Sequence, residues 1–580
     1  MNPAATGAIR RNSAPTAGGA LTLGQEALWL IQNLEPDCAA YNVTAALRLH
    51  FPVDTGVLAQ AVRATVRGHA LLDSVFDCDP TGRIRRRRAP ASGASGRLDL
   101  YEADLPDAEL HAFALELTRR PFRLDREPPI RTALLRTRGG PDILLATAHH
   151  IVADNVSQLL ICREILSHYA ALAAGTEHTA PDDGAAFEDF ARRQGAYLAS
   201  PRADRARQYW QRELAGVTRH TELPTDRPRP AVYRSEGAEI DLPLPADLVA
   251  GLGEALAARN VTAFAYLVTV FQLLLHRHSG RHDFVLGYPV TQRQGSELHD
   301  AIGYFVNTLP LRVHLDPDDS FDTVLRRTTA GLWRGLMHRD YPFALLPRLS
   351  ELPRDPGRPG LFTALFVLNE PAEDDPIAAA LEPGRQVEHA GLRAAEYYLP
   401  QQQGQFELTL QVTRRAAGVQ AKLKYNTSLF TERAARELAE DYLRLLRSAV
   451  DDTLPAALHL LRHRPEEQQP PIPGSESGTM ESTSTSTSTS ASTGSSTGTD
   501  RAGRIAQMRD VAAMVFQAEP EEIEAAGSFE TDLDSDSLLA VEFTVALEKS
   551  FGVALHVNDI PRLMAGLDST YEVVAEKAGW

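Results

Sequence analysis

The chain has 580 residues, with 76 acidic and 59 basic side chains for a formal charge of −17, and 43% of its positions are hydrophobic. That much apolar sequence supplies buried cores, and at about 100–200 residues per domain the length predicts three or four compact units. The acidic balance excludes a dedicated nucleic-acid binder, and no apolar run approaches the ~20 residues that span a bilayer.

Residues 1–20 read as a flexible tail, because Arg10 and Arg11 are not followed by the apolar stretch of a signal peptide. Cys38, Cys78 and Cys162 are scattered, with no CxxC or Cys/His spacing, so neither a disulfide framework nor a metal site is expected. That cysteine usage fits a reducing compartment and a soluble cytoplasmic protein. Lysine occurs only at positions 422, 424, 549 and 577, which argues against a lysine-based mechanism.

In chain order, strand-like runs at 46–51, 142–148 and 284–288 alternate with helical stretches at 155–174 and 431–448. This pattern predicts a mixed α/β body, long enough for two lobes, with a connection placed at 175–184. The Arg83–Arg88 run reads as a solvated hairpin, with docking of an acidic partner as the other reading. Residues 465–500 pass from a Pro- and Glu-rich stretch into alternating Ser and Thr, which cannot bury enough surface to offset chain entropy. A flexible tether of that length reaches roughly 30–36 Å. Residues 501–580 carry 15 acidic and 6 basic residues, more than half of the net negative charge, and helical periodicity at 505–516, 537–549 and 571–578. They predict a small acidic helical bundle.

The segment richest in chemistry is 148–157, where an apolar strand runs into His149 and His150, followed by Asp154 and Asn155. Histidine titrates nearest neutral pH and suits proton transfer to or from a nucleophile, while Asp154 or Asn155 could cap the next helix. A buried strand end whose histidines merely bond to backbone explains this segment equally well. In the tail, Ser537 follows Asp536 at the start of an amphipathic helix, which is also how an ordinary capped helix reads.

Context separates these readings. His149-His-Ile-Val-Ala-Asp154 resembles the HHxxxDG motif of the condensation domains of nonribosomal peptide synthetases, and further segments resemble that family in its order. They are Leu21–Trp29, Gly68–Phe76, Leu286–Arg293, Ile302–Arg312, Asp340–Phe343 and Arg354–Asn369. The resemblance implies a two-lobed, V-shaped α/β fold of the chloramphenicol-acetyltransferase type, with lobes at 21–180 and 181–464. Its active site would be a tunnel between the lobes, entered by carrier-bound donor and acceptor from opposite faces. It implies that His150 orients the nucleophilic amine or takes its proton, that His149 is structural, that Asp154 supports the loop, and that Arg293 pairs with Asp154. Leu533–Glu542 in turn resembles the attachment site of acyl and peptidyl carrier proteins. That implies an all-α four-helix carrier at 501–580 with 4′-phosphopantetheine on Ser537, Ser535 being the alternative.

Asn155 stands where the family has glycine, Asp73 where it has arginine, and Asp534 where carriers have glycine. The Asp-rich motif of heterocyclising relatives is absent, and epimerising relatives follow their carrier rather than precede it. The implied reaction joins an acyl or peptidyl thioester to an amine. No adenylation domain lies between body and carrier, so an adenylation enzyme acting in trans is expected, with a donor carrier protein and a phosphopantetheinyl transferase. Release by a soluble amine or alcohol, ester formation, and a degenerate docking platform are the alternatives.

Overall fold

The computed structural model describes residues 19–90, 95–103, 105–176, 178, 184–370, 385–415 and 418–454. Towards the C-terminus it describes 501–516, 518, 520–529, 543–544, 546–547, 550–551, 553, 555 and 559–579. The tether expected at 465–500 lies outside the described residues, as do Ser535 and Ser537. The chain divides into two compact units, Met1–Gln468 and Gln469–Trp580.

Thr22 opens the larger unit with a capping box: its hydroxyl accepts from the Gln25 N–H, and the Gln25 side chain accepts from the Thr22 N–H. Helix α1 (Leu23–Leu34) is followed by β1 (Asn42–Leu49), α2 (Thr55–Gly68), β2 (Ser74–Cys78), β3 (Ile84–Arg88), β4 (Leu98–Glu102) and α3 (Asp107–Thr118). Next come β5 (Ile130–Arg136), β6 (Asp142–His149), α4 (Asn155–Ala173), α5 (Gly184–Leu198) and α6 (Pro201–Glu213). Then follow β7 (Gly237–Pro243), α7 (Ala246–Arg259), α8 (Ala263–Ser279), β8 (Asp283–Thr291), β9 (Val306–His314), α9 (Phe321–Leu336) and β10 (Ala364–Asn369). The hairpins β11 (Gln386–His389) with β12 (Leu392–Glu396), and β13 (Leu408–Arg415) with β14 (Gly418–Asn426), precede α10 (Glu432–Val450).

The strands form two six-stranded sheets, ordered β11-β12-β1-β6-β5-β4 and β7-β14-β13-β10-β8-β9. β6 sits inside the first sheet, paired on both edges, and its residues from Ile143 to His149 are all buried. Two covered faces explain why its sequence is a continuous apolar run rather than an alternation. In the second lobe α8 plays the matching part. Thirteen of its seventeen residues are buried, Thr262 caps its start, and Gly280 ends it at φ 65.

Residues 386–396 fall within the 181–464 segment but pair with β1 through β12, extending the first sheet. Leu298, Ala301, Ile302 and Phe305 likewise join the core of the first lobe. The second half of the chain therefore crosses back twice onto the first, and the 298–305 crossing brings Tyr304 against His150.

In the smaller unit, helices Arg501–Phe516, Pro520–Ala525, Ile560–Leu563 and Leu567–Ala578 enclose a core that includes Met508, Ile523, Phe529, Phe543, Leu563 and Val573. Phe516, Phe529 and Phe543 pack with ring centroids 4.9–5.5 Å apart. Of the helix expected at 537–549, residues 543–544 and 546–547 are described, and all four are helical.

Candidate active site

β6 delivers His149 as its last residue and His150 as the first residue of a turn. Three groups hold that turn: Tyr41 O accepts from the His150 N–H (2.8 Å), Gln25 Nε2 donates to Ile151 O (2.8 Å), and Gly303 O accepts from the Asp154 N–H (3.1 Å). They come from the start of the chain and from the 296–305 crossing, so the turn cannot relax independently of either.

His149 is fully buried, and both its ring nitrogens are engaged. Nδ1 accepts from the Ile151 N–H (3.1 Å), so Nε2 carries the proton and donates it to Gln32 Oε1 (3.1 Å). Burial, with a smaller contribution from His150, pushes its pKa down to about 3. Both nitrogens are thus committed within the protein, and neither faces a substrate. The unfolded ring titrates near 6.5, so acid protonates the unfolded chain first. The stability tied to this ring is complete above pH 6.5 and falls by about 1.4 kcal/mol per pH unit towards pH 3. Urea unfolding at pH 7, 6 and 5 is expected to show that slope, and His149→Asn to flatten it; equal slopes would refute the assignment.

His150 is partly buried and oriented differently. Its Nδ1–H donates to Ala153 O (2.7 Å), which leaves the Nε2 lone pair free to accept. Burial holds its pKa below the ordinary imidazole value; the Ala153 bond and the Asp154 charge oppose that only in part. The ring is therefore neutral at pH 7, with a basic nitrogen available. Tyr304 packs edge-on against it, with ring centroids 5.5 Å apart. Nε2 itself receives the side-chain amide of Gln402 at 2.6 Å.

Asp154 caps α4, accepting from the Ser157 N–H (2.8 Å), so of the two capping candidates the aspartate is the one used. Its carboxylate meets Arg293, whose Nη2 donates to Oδ1 (2.8 Å) and Nε to Oδ2 (3.3 Å). Arg293 also donates from Nη1 to Leu298 O and Ala301 O (both 2.7 Å) and from Nη2 to Ser157 Oγ (2.8 Å). All five guanidinium N–H groups are thus used, and its plane lies over the Phe305 ring at 4.3 Å. Gly303 completes the knot, since a Cβ there would lie 2.3 Å from Phe187 Cδ2. Ser157 bonds both to the Gly303 N–H (3.0 Å) and to Gly303 O (2.8 Å).

The two substitutions in the body's motifs are accommodated outside this knot. Asn155 is exposed at the first position of α4, where the backbone has no positive φ that would demand glycine. Asp73 is buried and accepts from Arg88 Nε (3.0 Å) and Ser95. It secures the β2–β3 hairpin and does not touch His150. The basic run is largely neutralised: Arg85 and Arg87 both pair with Asp77 at 2.6 Å, Arg86 pairs with Glu188, and Arg88 with Asp73. That favours the hairpin reading over a docking patch.

The structure thus gathers His149, His150, Asp154 and Arg293 into one site. The family described as Condensation domain matches residues 19–469, more than half of the chain. The chain belongs to the condensation-domain family. A second family, described as Phosphopantetheine attachment site, matches residues 506–565, so 4′-phosphopantetheine is the cofactor of the C-terminal unit. Among curated relatives, the phosphinothricin tripeptide synthetase PhsC of Streptomyces viridochromogenes is 34% identical over 439 residues, covering 74% of this chain and 39% of its own length. The chain thus spans less than half the length of that relative. The X-domain from teicoplanin biosynthesis superposes with a TM-score of 0.68 at 25% identity, covering 76% of this chain and 97% of that one. The first condensation domain of the calcium-dependent antibiotic synthetase superposes at 0.62, covering 77% and 99%; at 24% identity that likeness shows the shared two-lobed fold.

Several residues of this candidate site carry no functional mark of their own in the sequence. Gln25 and Ser157 lie inside recognisable motifs, but their partners, Ile151 O and Arg293, are 126 and 136 residues away. Gln402 belongs to no motif. The only local signal is the density of glutamine in Gln401-Gln402-Gln403-Gly404-Gln405.

Proposed function

We propose that the chain is an acyltransferase of nonribosomal peptide synthesis that joins a carrier-bound acyl or peptidyl thioester to an amine. The observation that carries this reading is the state of His150: Nδ1–H is committed to Ala153 O, and Nε2 holds an acceptor lone pair in a desolvated setting. An amine that donates to Nε2 is oriented with its own lone pair free for the thioester carbonyl. The C–N bond forms, the C–S bond breaks, and the proton lost by nitrogen passes to the leaving thiolate. His150 ends neutral, as it began. Asp154 and Arg293 position it through the 149–154 turn and touch neither reactant.

Ser537 is the residue we assign to 4′-phosphopantetheine, on its place in the Asp534–Leu538 motif within the matched carrier region. The arm supplies the thiol on which an acceptor is carried. Partners of this reading are a donor carrier protein, an adenylation enzyme acting in trans and a phosphopantetheinyl transferase, all in the reducing cytoplasm.

Intact-protein mass spectrometry after treatment with a phosphopantetheinyl transferase and coenzyme A is expected to show addition of one arm. Ser537→Ala is expected to show none; addition to that variant would move the assignment to another serine. Reconstitution with an aminoacyl-loaded donor carrier then tests the reaction, with the acceptor amine either tethered to the chain's own carrier or free in solution. Amide on the tethered acceptor supports the reading, product only from the free amine converts it to chain release, and no product in either arm removes it.

A further inference from the structure

Residues 397–406 pass between the two sheets of the condensation body and are fastened to both. On the first lobe, Gln401 Oε1 accepts from the Thr44 N–H (2.5 Å), Arg119 Nη2 donates to Gln403 Oε1 (2.9 Å), and Gln405 Nε2 donates to Ala40 O (2.8 Å). On the second, Lys424 Nζ donates to Gln401 O (2.8 Å), and Gln403 Nε2 donates to Glu239 Oε2 (3.2 Å). The segment is pinned immediately before and after Gln402. Gln402 itself has φ 54, a left-handed conformation that a residue with a Cβ adopts only at a cost. The strain places its side chain on one atom: Gln402 Nε2 lies 2.6 Å from His150 Nε2. The Nδ1–H of His150 is already donated to Ala153 O, so only the NH2 end of the carboxamide can face Nε2.

We propose that Gln402 is a gate on His150: its side-chain amide occupies the Nε2 lone pair in the resting enzyme, and only a nucleophile that displaces that amide gains access to the nitrogen. This rests on the reading of His150 as the group that orients the nucleophile. The functional consequence is discrimination against water. A stray water meets a nitrogen whose lone pair is already bonded, whereas a bound acceptor can offset the displacement with its other contacts. Gln402 is in this sense a positioning and selecting residue that takes no part in bond making.

The test probes the nitrogen directly and needs no substrate. Diethyl pyrocarbonate acylates neutral imidazole, and peptide mass spectrometry of the full chain reports each histidine separately. The exposed His314 serves as the internal standard. Gln402→Gly removes the side chain and suits the left-handed backbone, so this variant is expected to keep the wild-type melting temperature or raise it. Its His150 is expected to label about tenfold faster relative to His314, the effect of freeing one hydrogen-bonded nitrogen. Gln402→Glu presents a carboxylate that holds a proton on Nε2 and is expected to label more slowly than wild type at pH 7. Equal labelling of His150 in wild type and both variants would overturn the proposal. A second readout uses thiol release from an N-acetylated aminoacyl N-acetylcysteamine thioester with no amine present, so that water is the acceptor; it is expected to rise in Gln402→Gly and to return to background in Gln402→Gly/His150→Ala. Labelling that responds to Gln402 in a chain that makes no amide would uphold the gate while removing the proposed reaction.

Discussion

Replacing His150 with alanine is expected to lower the rate of amide formation by about 10²–10⁴-fold while leaving the fold intact. The rate effect follows from geometry. Among the described groups bonded to the His150 ring, Ala153 O fixes the tautomer and Gln402 is a replaceable amide, so the Nε2 lone pair is the acceptor offered to a nucleophile. The stability effect is small because the ring is only partly buried, and the turn backbone is held by Tyr41 O, Gln25 and Gly303 O rather than by the imidazole. Unfolding free energies of the two proteins from denaturant titration are expected to agree within about 1 kcal/mol. The acidic limb of the wild-type pH–rate profile is expected below pH 6.5, since burial lowers the His150 pKa and activity is lost as Nε2 becomes protonated. Equal product from wild type and His150→Ala in the reconstituted assay would remove His150 from the mechanism, and a collapsed variant would show instead that the ring is structural.

Arg293→Ala is expected to be the most destabilising of the site substitutions, at about 3–5 kcal/mol, because it leaves the Asp154 carboxylate buried without its cation. Both side chains are nearly inaccessible, at 6% and 3% exposure, so water cannot take over the five donated bonds. Arg293→Lys is expected to recover part of the loss at most, as an ammonium cannot span Asp154, Ser157 and two backbone carbonyls together. The decisive comparison is the cycle with Asp154→Asn. The double variant is expected to cost about 1–3 kcal/mol less than the sum of the singles, since removing the charge removes the reason the arginine is needed. Additive effects in urea unfolding would show that the pair is not coupled. Activity is expected to fall with stability in Arg293→Ala, because the 296–305 crossing that Arg293 ties down also carries Tyr304 against His150.

The parts of this protein whose causes are local can be read along the chain. The Ile143–Ala148 run is apolar because a strand paired on both edges and covered on both faces must be, and Asp154 caps α4 three residues before the N–H it satisfies. His150 and Asp154 lie on one turn, so their spacing is readable along the chain. The acidic charge of residues 501–580 is likewise a property of composition. What those residues face follows from folding. Arg293 is 139 residues from Asp154 and Gln402 is 252 residues from His150, and each arrives on a segment that crosses from the second half of the chain. A family resemblance could suggest the arginine because it sits in a motif. The glutamine density at 401–405 does not single out Gln402, because its role depends on anchors of the 397–406 segment in both lobes and on a left-handed backbone, and pairings across hundreds of residues leave no periodicity to read. The chemistry of the histidine is written next to it in sequence, whereas access to its lone pair is set by a segment that only folding brings there.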